Sequence, residues 1–275
     1  GLTVSFLIAG ISAYRWLKDD RANEVMATLR TGITVAAVLI PIQIFVGDLH
    51  GLNTLHHQPA KLAAMEGIWE TQKGVPAVLF AIPDQATMSN KYEIAIPNLA
   101  SLYLTHDWNG EIKGIQDFAD HPPVGPVFWA FRIMVGLGVL MIAVGLWSLW
   151  HRWRGTLYQS RPLQWAMLLM GPSGFVAVLA GWSTTEVGRQ PYTVYGVLQT
   201  ADSMAPIAAP AVATSLAAFI VVYCAVFGTG TWYVLRMLAR PPEAEEEAPE
   251  AGVVTRAAGI TPAASLAEDP HHHPH

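Results

Sequence analysis

The chain has 275 residues, of which 52% are hydrophobic and 13% are Asp, Glu, Lys or Arg, and its formal net charge is −5. A typical soluble domain has about 25% charged residues, so this composition is that of a membrane protein, and nothing in it predicts a nucleic-acid partner. The single cysteine, Cys224, excludes a disulfide framework within the chain.

Five apolar segments in chain order predict an all-α integral membrane protein with about five transmembrane helices. They are residues 1–17, 31–47, 126–150, 162–185 and 206–237. A spanning helix needs about 20 residues, so the first segment is expected to be the remainder of a truncated helix. Pro41 interrupts the second segment, which neighbouring helices can tolerate.

The segments divide the chain into four regions. Residues 1–47 hold two transmembrane helices, 48–125 form a long loop, and 126–240 hold three more transmembrane helices. Residues 241–275 are rich in Pro, Glu and Ala, which predicts a disordered tail.

Lysine and arginine predict the orientation of the chain. The three connections expected on one side carry nine basic residues, whereas the 48–125 loop has four lysines against nine Asp and Glu residues. Because basic residues concentrate in cytoplasmic connections, the long loop is predicted to be extracytoplasmic and the C-terminus cytoplasmic.

The stretch "GWSTTEVGRQP" (181–191) carries ionisable residues at the end of an apolar segment. Trp182, Glu186 and Arg189 are spaced i, i+4 and i+7, which places them on one helix face. Ionisable groups at membrane depth are candidates for function, as metal ligands or proton carriers. The alternative is an interfacial ion pair beside an aromatic belt residue.

The stretch "FWAFRIMVGLG" (128–138) places Arg132 one turn inside the third predicted span, with Met134 two residues later. A methionine in an apolar helix usually fills the core, but its thioether can also be an axial haem ligand. No histidine lies inside a predicted span. A haem site would therefore use Met134 and Glu186, or ligands from outside this chain.

Within the loop, "QPAKLAAMEGIWETQ" (58–72) predicts a short helix whose apolar stripe also carries Glu66. A carboxylate in that position suits proton exchange, and Lys61 flanks the stripe. The alternative is a solvated amphipathic helix on the membrane surface, with Glu66 at its border.

Four stretches together resemble subunit I of the cytochrome bd-type quinol oxidases, and they occur in that family's order. They are "KLAAMEGIWET" (61–71), "AIPDQ" (81–85), "FWAFRIMVGLG" (128–138) and "GWSTTEVGRQP" (181–191). The resemblance extends from residue 1 to about 240 and is greatest to the cyanide-insensitive branch. It implies the C-terminal portion of such a subunit, without the first four helices and their histidine ligands.

The resemblance implies a terminal respiratory oxidase of the bacterial cytoplasmic (inner) membrane. Such an enzyme oxidises quinol at the outer face, reduces O2 to water and generates a proton gradient. The implied cofactors are a low-spin haem b, a high-spin haem b, and a haem d or a further b-type haem. The implied partners are subunit II of the oxidase, quinol, O2 and the lipid bilayer.

The resemblance also implies roles for seven residues. Lys61 and Glu66 belong to the quinol-oxidising loop, with Glu66 as a candidate proton acceptor. Met134 is the implied ligand of the low-spin haem and Glu186 that of the high-spin haem b. The haem pockets are lined by Arg132, Trp182 and Arg189, and the arginines are expected to pair with propionates.

Two other function classes fit the residues without a haem. A proton- or ion-coupled transporter would use Glu186, Arg189 and Arg132 as a charge relay. A structural membrane subunit would use the same charges only to pair helices. Haem content separates the oxidase from both.

Overall fold

The computed structural model describes residues 1–203 and 206–238, and it divides the chain into two units, Gly1–Met204 and Ala205–His275. Its eight α-helices are α1 (Leu2–Leu17), α2 (Asn23–His57), α3 (Pro59–Glu66), α4 (Leu99–Thr105), α5 (Val124–Trp153), α6 (Arg161–Met170), α7 (Ser173–Val187) and α8 (Ala209–Leu238). The predicted disordered tail, 241–275, lies outside the described residues.

Four helical segments are long and apolar enough to cross a membrane: α2, α5, α6 together with α7, and α8. The prediction of a mostly helical membrane protein is confirmed. Helix α1 is apolar but shorter, with 16 residues. Helix α2 runs through Pro41 and extends beyond the predicted 31–47 at both ends, so that His50, His56 and His57 lie on a helix.

The fourth predicted span is broken rather than continuous. Helix α6 ends at Met170 and α7 begins at Ser173, with Gly171 and Pro172 between them. Proline lacks a backbone N–H and its ring obstructs the preceding turn, so the helix is interrupted there.

The loop between α2 and α5 contains strands that the all-α prediction did not include. Strand β1 (Gln72–Lys73) pairs with β4 (Glu111–Ile112), and β2 (Ala77–Asp84) forms an antiparallel hairpin with β3 (Ser89–Ile96). A 3-10 turn covers Ile115–Asp117. A third small sheet, β5 (Tyr192–Val194) with β6 (Leu198–Gln199), follows α7.

Glycines allow α1 to lie close to the broken span. A Cβ atom added to Gly10 would lie 2.9 Å from the Cα of Gly171, and one added to Gly174 would lie 2.6 Å from the Cα of Thr3. Real Cβ atoms do not approach this closely, so a larger residue would separate the helices. The spacing of small residues along 162–185 therefore serves helix packing at these two positions.

The loop has a buried core of its own, which packs against α5. Leu62, Ile68, Trp69, Val75, Ile112 and Ile115 belong to this core together with Val124 and Val127 of α5. This packing places α3 directly against the first turns of α5.

Candidate functional site

A buried ion pair joins the loop to α5. Glu66 is the last residue of α3 and is 2% exposed, and Nη2 of Arg132 donates to its Oε2 at 2.8 Å. Nε of Arg132 donates to the carbonyl of Val78 on β2 at 2.6 Å. The guanidinium also lies 4.6 Å from the ring centre of Phe128. One arginine therefore connects α3, β2 and α5.

The end of α3 explains how Glu66 reaches this position. Pro59 begins the helix, and Gly67 ends it in the left-handed region, with φ of +70°. An L side chain is strained in this conformation, and a Cβ atom there would lie 3.1 Å from the Phe128 ring. The helix end therefore rests directly on α5, and its last carboxylate is excluded from solvent.

Tyr103 on α4 belongs to the same site, and sequence reasoning missed it. Burial raises the pKa of the Tyr103 hydroxyl, the adjacent Glu66 carboxylate raises it further, and Arg132 opposes the shift. Part of Tyr103 reaches the surface, since the residue is 36% exposed. Nothing in the sequence "NLASLYLT" indicates that this tyrosine lies near the Glu66 carboxylate, which comes 37 positions earlier.

Lys61 connects α3 to the end of α7. Its side chain lies against Gly188: a Cβ atom added to Gly188 would lie 3.0 Å from Lys61 Cγ. The residue is 8% exposed. Burial lowers the pKa of the Lys61 ammonium below its ordinary 10.5, Arg189 lowers it further, and Glu186 raises it.

We expect Lys61→Met to raise the melting temperature by about 2–4 °C at neutral pH, since it removes a buried charge. At pH values between the lowered pKa of Lys61 in the folded protein and 10.5, Lys61 is protonated in the unfolded chain and deprotonated in the folded chain. The free energy of unfolding of the unsubstituted protein therefore rises with pH in this window, and the advantage of the variant shrinks.

The measurement is thermal unfolding in detergent at about pH 7 and about pH 10. Lys73→Met is the matched control, because it removes the same charge from an exposed residue that makes no salt bridge in the described part of the chain. An advantage of Lys61→Met that stays constant with pH would contradict this account.

Met134 packs against α7 at Gly181. A Cβ atom added to Gly181 would lie 2.8 Å from the Met134 sulfur, so the missing side chain leaves room for the thioether. Trp182, the next residue, is 64% exposed.

Glu186 and Arg189 form an i, i+3 ion pair near the end of α7. Their side chains are 42% and 40% exposed, so the pair is far less buried than Glu66 with Arg132. Within the described ranges, Nε of Arg189 is buried and has no hydrogen-bond partner. A buried donor without a partner is uncommon in folded proteins.

The structure brings together stretches that lie far apart in sequence. Arg132, in the stretch 128–138, contacts Glu66 of the stretch 61–71 and Val78 of β2. Met134 of the same stretch packs against Gly181, and the Lys61 side chain lies against Gly188. The resemblance implied that the Arg132 guanidinium pairs with a propionate, and in the structure it pairs with the carboxylate of Glu66. Within residues 1–203 and 206–238, no three His, Cys, Asp or Glu side chains form a metal-binding group.

The chain matches the family described as "Cytochrome bd terminal oxidase subunit I" over residues 1–242. It is 34% identical to "Cytochrome bd ubiquinol oxidase subunit 1" of Bacillus subtilis (strain 168), over 80% of this chain and 50% of the relative. It is 25% identical to "Cytochrome bd-II ubiquinol oxidase subunit 1" of Escherichia coli (strain K12), over 90% of this chain and 62% of the relative.

A solved structure agrees in fold. The similarity to "The structure of bd oxidase from Geobacillus thermodenitrificans" has a TM-score of 0.76 at 28% identity, and covers 88% of this chain and 56% of that chain. The chain thus spans about half the length of the B. subtilis relative. Because the family match covers most of its length, the chain belongs to the cytochrome bd terminal oxidase subunit I family.

Proposed function

We propose that this chain is part of a quinol:O2 oxidoreductase in a bacterial cytoplasmic membrane, where it oxidises quinol, reduces O2 to water and generates a proton gradient. The observation that carries the proposal is the buried Glu66–Arg132 pair, which joins the loop to the helix of Met134. Family membership gives no support to a transporter or to a purely structural subunit.

The 48–125 loop would bind quinol on the extracytoplasmic side. Glu66 would accept a proton from the quinol hydroxyl, and Arg132 would hold the carboxylate in a fixed position through its bond of 2.8 Å. Lys61 is buried beside Gly188 and would donate a hydrogen bond to a quinol oxygen. Tyr103, whose pKa is raised by burial and by the Glu66 carboxylate, would pass on the released proton.

The donors around α5 and α7 fit haem. Gly181 leaves room for the Met134 thioether, and the unpartnered Nε of Arg189 suits a propionate. Met134 would hold a low-spin haem b, Glu186 a high-spin haem b, and Trp182 and Arg132 would line the pockets. Bound haem would supply one-electron transfer and O2 binding. We propose a haem d or a further haem b at the oxygen site.

The partner of this chain would be subunit II of the oxidase, with lipid over the rest of the membrane surface. Helix α2 supports this, because its apolar side chains Val38, Ile42, Ile44, Phe45, Val46 and Leu49 are exposed. Exposed apolar side chains in this number suit a membrane partner or lipid. The C-terminus would be cytoplasmic, following the distribution of basic residues.

Met134→Ala in the complete oxidase is expected to remove most of the low-spin haem signal in reduced-minus-oxidised and pyridine haemochrome spectra. Glu186→Ala should reduce the high-spin signal in the same spectra. Met141→Ala is the matched control, because Met141 is a buried methionine of α5 that packs in an apolar cluster. Spectra that stay intact in both Met134→Ala and Glu186→Ala would refute the ligand assignments.

A further inference from the structure

The turn between α5 and α6 is fixed by its backbone. Gly155 has φ of +70°, and the amides of Arg154, Gly155 and Thr156 donate to carbonyls of the last turn of α5 at 3.1, 3.1 and 2.9 Å. This is a Schellman-type end, which needs glycine at the left-handed position. It also occupies carbonyls that would otherwise repel an anion.

Beside this turn lies an open cleft with a volume of about 370 Å³. The cleft is lined by Trp150, His151, Arg154, Thr156, Gln159 and Ser160. Thr156 Oγ1 and His151 Nδ1 lie 2.8 Å apart. The Arg154 guanidinium lies 4.4 Å from the centre of the Trp150 ring, which holds it beside the cleft.

The formal charges along this part of the chain are of one sign. The sequence has no Asp or Glu between Asp120 and Glu186, whereas Arg152, Arg154 and Arg161 surround the turn. In the described part of the chain, Arg154 makes no salt bridge with a carboxylate. Its guanidinium is therefore available to an anion that the protein itself does not supply.

The location of the cleft selects the kind of anion. It lies at the end of α5, a helix long and apolar enough to cross a membrane. Trp150 is 44% exposed and Trp153 is 83% exposed at this end. Exposed tryptophans at the end of a spanning helix are typical of the lipid headgroup level.

We propose that this cleft binds the phosphate of an anionic phospholipid headgroup. Arg154 donates two parallel hydrogen bonds to the phosphate, in the geometry that a guanidinium prefers. Thr156, Gln159 and Ser160 offer hydrogen bonds to the polar part of the headgroup. The exposed rings of Trp150 and Trp153 contact the glycerol and the first acyl carbons, which inorganic phosphate lacks.

The test is lipid retention by the full chain in detergent, measured by native mass spectrometry after addition of phosphatidylglycerol or phosphatidylcholine. Arg154→Gln is expected to retain about fivefold less phosphatidylglycerol than the unsubstituted protein, since one surface cation contributes about that much to anionic lipid binding. Arg154→Lys keeps the charge but loses the paired hydrogen bonds, so its retention should be intermediate. Arg30→Gln removes an exposed arginine of α2 and should change nothing.

Equal retention by Arg154→Gln and the unsubstituted protein would overturn the proposal, as would an equal loss in Arg30→Gln. Equal retention of phosphatidylcholine would show that the anionic headgroup is not recognised. Displacement of the lipid by inorganic phosphate would assign the cleft to free phosphate instead. The readout is lipid mass, so its result is independent of haem content and oxidase activity.

Discussion

Replacement of Arg132 by methionine is expected to destabilise the protein by about 3–5 kcal/mol, because it leaves a buried carboxylate without its counter-ion. Glu66 is 2% exposed, and the Arg132 side chain is 13% exposed, so water cannot replace the lost partner. The carbonyl of Val78 also loses a donor at 2.6 Å. The measurement is chemical unfolding in detergent, followed by helix content.

Two further variants distinguish the stability lost with the ion pair from the stability lost with packing contacts. Adding Glu66→Gln to Arg132→Met removes the stranded charge and should recover most of the loss, because neutral replacements of buried pairs are often tolerated. Arg189→Met breaks a pair whose side chains are 40% and 42% exposed, and should cost less than about 1 kcal/mol. An Arg132→Met cost no larger than that of Arg189→Met would contradict the buried-pair account.

Glu66→Gln is expected to lower quinol oxidation by the complete oxidase at least about 100-fold, the usual contribution of a general base. The amide keeps the shape of the side chain and can accept a hydrogen bond from Arg132, but it cannot take a proton. Haem spectra should therefore stay unchanged. The measurement is O2 uptake with quinol, compared with uptake driven by an artificial electron donor that releases no proton at the loop.

Glu70→Gln is the matched control, since Glu70 is an exposed glutamate of the same stretch. It should retain full activity with both donors. If Glu66→Gln oxidised quinol at the unsubstituted rate, Glu66 would not be the proton acceptor. If the artificial donor also failed, the defect would lie beyond the loop.

Local patterns predicted much of the membrane part. Apolar length predicted the segments that are long enough to cross a membrane, namely α2, α5, α6 together with α7, and α8. The predicted helix at 58–72 is present as α3 but ends at Glu66, because Gly67 adopts a left-handed conformation. The C-terminal boundary of α3 depends on the φ angle of Gly67, which the spacing of apolar residues does not encode.

The partners of the site residues could not be read from the sequence. Arg132 and Glu66 are 66 positions apart, and their contact depends on how the loop folds back on α5. Strands β2 and β3 were not predicted, because neither alternates regularly between buried and exposed residues as a half-buried strand does. Tyr103 stands in an apolar run, and only tertiary packing reveals its carboxylate neighbour.

The chain order of the buried pair has a consequence for biosynthesis. Glu66 leaves the ribosome before Arg132, and domains generally fold from the N-terminal side during synthesis. An arginine at the centre of a spanning helix costs about 2.5–3.5 kcal/mol to insert, and the cost for Arg132, near the start of α5, is a smaller part of this. The carboxylate is already made when α5 emerges, so the loop can supply the counter-charge as that helix enters the bilayer.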